Sequence, residues 1–283
     1  LGLTEQEKDN DYLIPTVLNS PCIEDPASYQ TVRRARADKD LIEVKNLKIH
    51  FREDATGARV RAVNGVNLEM YGGELLVLLG HNGAGKSTAI SSLSGLVRPS
   101  GGGIEMFGVD MLGSTANKTW CQQVTGLCMQ DDILWGNMKV KDHLELVARL
   151  RGVHNDPSFE SETKRLIQDS KLTEHIHKRT RELSGGWKRI LCCVAAFVGD
   201  AKLIVLDEPT SGVDPSNRRL CWNFIRQKRN EGKLILLTTH YMDEAEALAD
   251  RIAIMAAGIV RAYGTSRFLK RVFHCGYELQ LTV

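Results

Sequence analysis

The run Gly80-His81-Asn82-Gly83-Ala84-Gly85-Lys86-Ser87-Thr88 has the residue types and spacing that phosphate chemistry needs. It fits G-x-x-x-x-G-K-S/T and follows the apolar run Leu75–Leu79, so it predicts a buried strand, a glycine loop and then a helix. Glycines at 80, 83 and 85 permit backbone angles and close approaches that a Cβ would block. The loop amides then form a nest for anionic oxygens, and the helix start adds unpaired N–H groups and the positive end of its dipole. Lys86 is expected at a solvent-facing site as a mobile cation for β- and γ-phosphates, with the Ser87 hydroxyl placed for Mg²⁺.

Four other places hold residues that could act on a phosphate ester. Asp207-Glu208-Pro209 follows the apolar run Leu203–Leu206. A carboxylate at the end of a buried strand beside the phosphate-loop strand suits a Mg²⁺ shell, and Glu208 could orient or deprotonate a water. His240 ends a further apolar run and could donate a hydrogen bond to a γ-phosphate. Leu183-Ser184-Gly185-Gly186 exposes amides at a helix start, a second anion site. Phe51 ends a strand one hairpin before the phosphate loop and reads either as an adenine-stacking ring or as a core aromatic. Alone, each has a bland reading: D-E-P as a strand exit, S-G-G as a cap, a lone histidine as structural.

The elements that must position these residues follow from periodicity. Leu41–Phe51 alternates with one slip in phase, and Val60–Met70 reads as a second strand. Ile104–Phe107, Val124–Met129, Leu203–Leu206, Leu234–Leu237, Ile252–Met255 and a segment near Ile259 are further strands, with Tyr277–Leu281 as a final one. Ile90 and Leu93 are the inward positions of the helix after the phosphate loop. Val140, Leu144, Val147 and Leu150 share one helical face, and a polar helix spans Ser158 to about Ser170. Trp187, Ile190, Leu191, Val194, Phe197 and Val198 recur at helical spacing, and Pro215 opens a helix to about Arg229. A short basic helix, Thr265–Phe273, follows the last core strand. Residues 1–40 show no sustained period and read as a polar, poorly ordered linker with a basic knot at Arg33-Arg34-Ala35-Arg36.

Composition narrows the class. The chain has 283 residues, 42% hydrophobic and 25% charged, and a net charge of +2, so charge alone implies no polyanion partner. No apolar run approaches the roughly 18 residues that span a bilayer. A first residue of Leu is read as a piece of a longer chain. The seven cysteines include no C-x-x-C and read as reduced, mostly buried thiols.

As an ordered set, the phosphate loop, Gln130, Leu183–Gly186, Val205–Pro209, Ser211-Gly212-Val213-Asp214 and His240 resemble the nucleotide-binding domain of ABC transporters over residues 41–264. The resemblance implies an α/β fold: a P-loop NTPase core, a flanking antiparallel β-part and an inserted helical subdomain at about 131–200, followed by an extension over 265–283. It implies ATP and Mg²⁺ as ligands. Lys86 and the loop would hold phosphates, and Ser87, Gln130 and Asp207 the metal. Glu208 would be the catalytic base, His240 the γ-phosphate sensor and Phe51 the adenine-stacking ring. Asp214 would lie in the inter-domain loop, with Ser184, Gly185 and Gly186 facing a nucleotide held by a second domain.

Finer features resemble the A subfamily, whose members move lipids, and its first nucleotide-binding domain more than its second. They are the phosphate loop itself, Ala148-Arg149-Leu150-Arg151-Gly152, Asp243-Glu244-Ala245-Glu246-Ala247, and Gly264–Lys270 with Gly276-Tyr277. Trp187 departs from the usual Gln or Met after S-G-G, and Met129 from the common Pro before Gln130. The implied partners are transmembrane domains and a second nucleotide-binding domain, at the cytoplasmic face of a membrane, with no nucleic acid and with the lipid handled elsewhere. The rival reading is a soluble ABC-type switch acting on ribosomes or DNA. A degenerate site that binds ATP but hydrolyses it slowly is a third, and intact Glu208 and His240 argue against it.

Overall fold

The computed structural model describes residues 22–24, 35–52, 59–153, 159–199 and 201–273. Its first strands are β1 (Cys22–Ile23), β2 (Leu41–Arg52), β3 (Arg59–Tyr71) and β4 (Leu75–Leu79), followed by helix α1 (Lys86–Leu93). Next come β5 (Gly101–Met106), β6 (Val109–Asp110), α2 (Thr115–Gln123) and β7 (Thr125–Cys128). Helices α3 (Val140–Leu150), α4 (Phe159–Asp169) and α5 (Gly185–Ala196) precede β8 (Leu203–Asp207). The rest is α6 (Pro215–Asn230), β9 (Leu234–Thr239), α7 (Met242–Leu248), β10 (Arg251–Ala256), β11 (Ile259–Gly264) and α8 (Ser266–Val272).

Two sheets result. The larger has the order β1-β11-β10-β4-β9-β8-β7; β10, β4, β9, β8 and β7 are mutually parallel, β11 is antiparallel to β10, and β1 is parallel to β11. The smaller is antiparallel, ordered β3-β2-β5-β6. Every residue of β4, β8 and β9 is buried, as expected for parallel strands covered on both faces. Their side chains alternate between two cores. Leu76, Leu78, Leu203, Val205, Leu234 and Leu236 meet α1 and the antiparallel sheet. Leu75, Val77, Ile204, Leu206, Ile235 and Leu237 meet the helices α3 to α7. Strand period and layer order are thus one fact: alternate residues serve opposite layers.

Parallel pairing also puts the carboxyl ends of β4, β7, β8 and β9 along one edge. Leu79 lies opposite Thr239, Asp207 opposite Thr238, and Cys128 opposite Leu206. The segments leaving those ends are the phosphate loop, Met129–Asp132, Glu208–Pro209 and His240. An open α/β sheet binds its ligands along such an edge.

The phase slip expected in the first strand is a bulge between Val44 and Leu47, with Asn46 at φ +49°. Two expectations change. Leu150 is exposed, whereas Val140, Leu144 and Ala148 are fully buried. At 100° per residue Leu150 and Ala148 flank Val140 by roughly 80° on opposite sides, and the core takes the Ala148 side. The lead-in is not wholly irregular, because Cys22 and Ile23 pair with Ala262 and Tyr263 at the sheet edge and Ala35 is buried. Arg36, from the basic knot, pairs with Glu69 at 2.7 Å. The expected strand at 277–281, the Gly276-Tyr277 pair and Cys275 lie outside the described residues.

Candidate functional site

The phosphate loop leaves the end of β4 and becomes α1 at Gly85. Gly85 has φ +98°, and a Cβ there would stand 2.2 Å from the Ala62 carbonyl oxygen, so only glycine fits. No side chain caps α1, which leaves its first-turn N–H groups for an anion. The Lys86 ammonium donates to the carbonyls of Gly80 (2.7 Å) and His81 (3.1 Å) and lies 3.8 Å from Glu208 Oε1. Lys86 is only 4% exposed, which corrects the expectation of a solvent-facing side chain. The loop curls over its own lysine, so the cation sits beneath the phosphate cradle. His81 is exposed, its Nδ1 2.7 Å from the Asn82 carbonyl oxygen.

Asp207, at the end of β8, is buried. Its Oδ1 accepts from Ser87 Oγ at 3.3 Å and from the Thr238 hydroxyl of β9. Glu208 follows with φ +46°, an uncommon value for a residue with a Cβ. Its amide donates to the Thr238 hydroxyl (3.0 Å) and carbonyl (3.2 Å), which hold this strained turn in place. The turn aims the Glu208 carboxylate back over the loop, between Lys86 and His240 Nδ1, the latter 3.3 Å from Oε1.

Lys86, Ser87, Thr88, Gln130 and Glu208 line one cleft of about 460 Å³ with Asn82 and Gly83. That volume is in the range of a small-molecule site. Ser87 Oγ lies 3.3 Å from Asp207 Oδ1 at the cleft that Gln130 also lines, and a hydroxyl, a carboxylate and an amide oxygen are donors that suit a hard divalent cation such as Mg²⁺.

The other expected residues surround this cleft or turn from it. Phe51 is 44% exposed, so the core reading fails. It lies directly opposite Val60, a wall of the cleft, and opposite residues of an antiparallel pair share a face. Ser184 is the N-cap residue of α5 without a capping side-chain bond, and Ser184 and Gly185 are exposed. Neither, nor Gly186, lines the cleft of this chain. Gly186 is buried where a Cβ would meet Asn217 Nδ2 at 2.6 Å, so the helix start lies close against the start of α6. Asp214 caps α6: its carboxylate accepts from the amides of Ser216 and Asn217 and from Asn217 Nδ2. The Asn217 amide, foremost among these donors, holds the Asp214 carboxyl below the ordinary aspartate range.

Trp187 is half-buried, packed on the helical core and against the His175 ring at 4.3 Å, as its helical phase predicts. Several residues escaped the sequence reading. Arg61, Ala62, Ala257 and Gly258 complete the cleft wall, brought there by β3 and the β10–β11 turn. Arg189 is buried at 4% exposure under the strand-end loops. Its signal was a charged residue on the buried face of α5, between Gly186 and Cys193.

A family model described as ABC transporter matches residues 63–211. "ABC transporter A family member 5" of Dictyostelium discoideum is 42% identical over 242 residues, 86% of this chain and 14% of that protein. The human "Phospholipid-transporting ATPase ABCA3" is 40% identical over 241 residues, covering 85% and 14%. The human "Glucosylceramide transporter ABCA12" is 41% identical over 227 residues, covering 80% and 9%. This chain thus spans only a small part of each of these relatives. The solved structure of an ATP-binding subunit of an ABC transporter superposes with a TM-score of 0.71 at 27% identity, covering 83% of this chain and 93% of that one. A dimeric bacterial ABC transporter cassette shares the fold at a TM-score of 0.70 and 21% identity, covering 79% and 98%. The chain belongs to the ABC transporter family, as a nucleotide-binding domain of the A-subfamily type.

Proposed function

We propose that this chain binds and hydrolyses Mg·ATP, and that it does so in a pair with a second nucleotide-binding domain to drive lipid movement through membrane helices outside the described residues. Within this reading residues 41–264 are the domain and 131–200 its helical part. The observation that carries it is the meeting of Lys86, Ser87, Asp207 and Glu208 at the carboxyl edge of one parallel sheet.

The residue roles follow from that geometry. Lys86 and the unpaired amides of the loop and α1 bind the β- and γ-phosphates. Phe51, on the Val60 face, stacks on adenine. Ser87, Gln130 and Asp207 would hold Mg²⁺, which when bound neutralises and orients the phosphate oxygens. Glu208 holds the attacking water and takes its proton, and His240 donates to the γ-phosphate. Asp214, capping α6 beside Gly186, keeps the inter-domain loop in place. Ser184–Gly186 do not line the cleft of their own chain. A partner's corresponding helix start would close it, as the dimeric relative of the same fold suggests.

Two relatives are named for phospholipid and glucosylceramide transport, which favours a lipid cargo over the ribosome or DNA switch. No helix among the described residues is long and apolar enough to cross a membrane. The domain would act at the cytoplasmic face, where ATP is supplied.

Glu208→Gln tests the reading. A general base contributes about 10²–10⁴-fold, so this variant should bind Mg·ATP yet hydrolyse it at least about a hundredfold more slowly. Light scattering across a concentration series should show it pairing with Mg·ATP, while native specific activity rises with concentration. Full-rate hydrolysis by a dilute, strictly monomeric chain would overturn the paired mechanism. For the cargo, the full-length protein in vesicles should move a fluorescent phospholipid with ATP, and its Glu208→Gln form should not.

A further inference from the structure

Arg189 stands on the buried face of α5, five residues after Ser184. An arginine side chain has five N–H donors, and each of these is directed at an acceptor. Nε donates to the Pro209 carbonyl at 3.1 Å. Nη1 donates to the Met129 carbonyl at 2.6 Å and faces Asp132 Oδ1 at 3.4 Å. Nη2 donates to the carbonyls of Asp207 (2.6 Å) and Glu208 (3.0 Å). Four of the five acceptors are main-chain oxygens. They come from the two loops that carry Gln130 and Glu208.

Burying a guanidinium is costly unless its hydrogen bonds are made, and an apolar side chain fills such a volume with less risk. A group retained there with every donor engaged fixes a geometry. Main-chain carbonyls as acceptors mean that Arg189 sets the path of the backbone itself, including the strained turn at Glu208. The planar fork is what reaches two loops at once, and a lysine ammonium cannot reproduce it.

We propose that Arg189 is a positioning residue that clamps α5 to the loops ending β7 and β8, so that the loops bearing Gln130 and Glu208 and the helix start Ser184–Gly186 move as one body. Nucleotide in the cleft of one chain then sets the orientation of the helix start that the same chain offers to its partner's nucleotide. This coupling rests on the paired reading given above, whereas the clamp on Glu208 does not.

The test uses Arg189→Lys in this chain, in both the native and the Glu208→Gln backgrounds. In the native background, kcat should fall tenfold or more with KM changed less than threefold, because the phosphate loop is untouched. In the Glu208→Gln background, a fluorescent ATP analogue should bind dilute protein within threefold of the parent. Light scattering with Mg·ATP should show the pairing constant weakened at least tenfold. Unchanged kcat, or a fall matched by an equal loss of nucleotide affinity, would overturn the proposal. Should Arg189→Lys fail to fold, Asp132→Ala removes one partly exposed acceptor and should lower kcat two- to threefold at constant KM. No change there would equally overturn it. If Glu208→Gln itself does not pair, the paired reading fails, and the split between kcat and KM still decides the role of Arg189.

Discussion

Glu208 shows how a single residue can be held in an unfavourable conformation. Its φ of +46° costs on the order of 1–3 kcal/mol, and bonds from its amide to Thr238 and from Arg189 to its carbonyl offset that strain. The result is a carboxylate aimed between Lys86 and His240. Phe51 shows the opposite economy, a large ring left exposed beside the cleft. Phe51→Ala should weaken ATP binding by on the order of 1–3 kcal/mol in calorimetry. Because the ring is exposed, stability should change by no more than about 0.5 kcal/mol. A lowered melting temperature with unchanged affinity would assign the ring to packing instead.

Helix α5 joins two tasks. Its first turn presents Ser184 and Gly185, and its remainder is core, with Ile190, Leu191, Cys193 and Val194 buried. Trp187 belongs to the second task by its contacts with the helical core and His175. Trp187→Gln should therefore lower unfolding stability by about 1–2 kcal/mol in urea titration, less than for a fully buried ring. Mg·ATP-driven pairing should remain. Stronger pairing at unchanged stability would place the indole at the interface. The same contact makes a prediction for pH. Burial, with Lys178 adding to it, lowers the His175 pKa below the ordinary histidine value. The folded state therefore disfavours the imidazolium, and protonation favours unfolding. The His175 contribution is complete above the unfolded pKa of about 6.5 and is lost as pH falls through the lowered folded value. Between about pH 7.5 and about pH 5.5, melting temperature should fall more for the native chain than for His175→Phe, which keeps the ring contact. Equal slopes would remove His175 from the account.

At the level of the whole chain, two cores share one parallel sheet, and the thiols are distributed through both. Cys128, Cys193 and Cys221 lie in the helical core, and Cys121 lies under the antiparallel sheet. Burial pushes the Cys128 thiol up to about 12, and hydrogen bonding to Cys221 together with burial raises Cys193 well above its usual value. Only the thiolate is a good nucleophile. At about pH 8, a disulfide reagent should leave Cys121, Cys128, Cys193 and Cys221 unmodified in the native chain and label them in urea, as read by peptide mass spectrometry. Rapid native labelling would show a looser core.

Much of this molecule was legible in one dimension because its chemistry sits where periodicity breaks. Leu75–Leu79, Leu203–Asp207 and Leu234–Thr239 are short apolar runs ending in a glycine loop, an acidic pair and a histidine, and each ends on the same sheet edge. Local backbone rules were enough for the turn at Gly85, the phase slip near Asn46 and the helix start at Pro215. What only the tertiary structure decided are contacts between segments far apart in the chain. Lys86 is buried because the loop folds over it and Glu208 lies against it. Phe51 is exposed because β3 places Val60, not the core, beside it. Leu150 faces solvent because the neighbouring layer lies toward Ala148. Arg189 binds Met129 and Glu208 across 60 and 19 residues of sequence. Its acceptors are main-chain carbonyls, which every residue possesses, so no pattern of side chains along the sequence could have announced them.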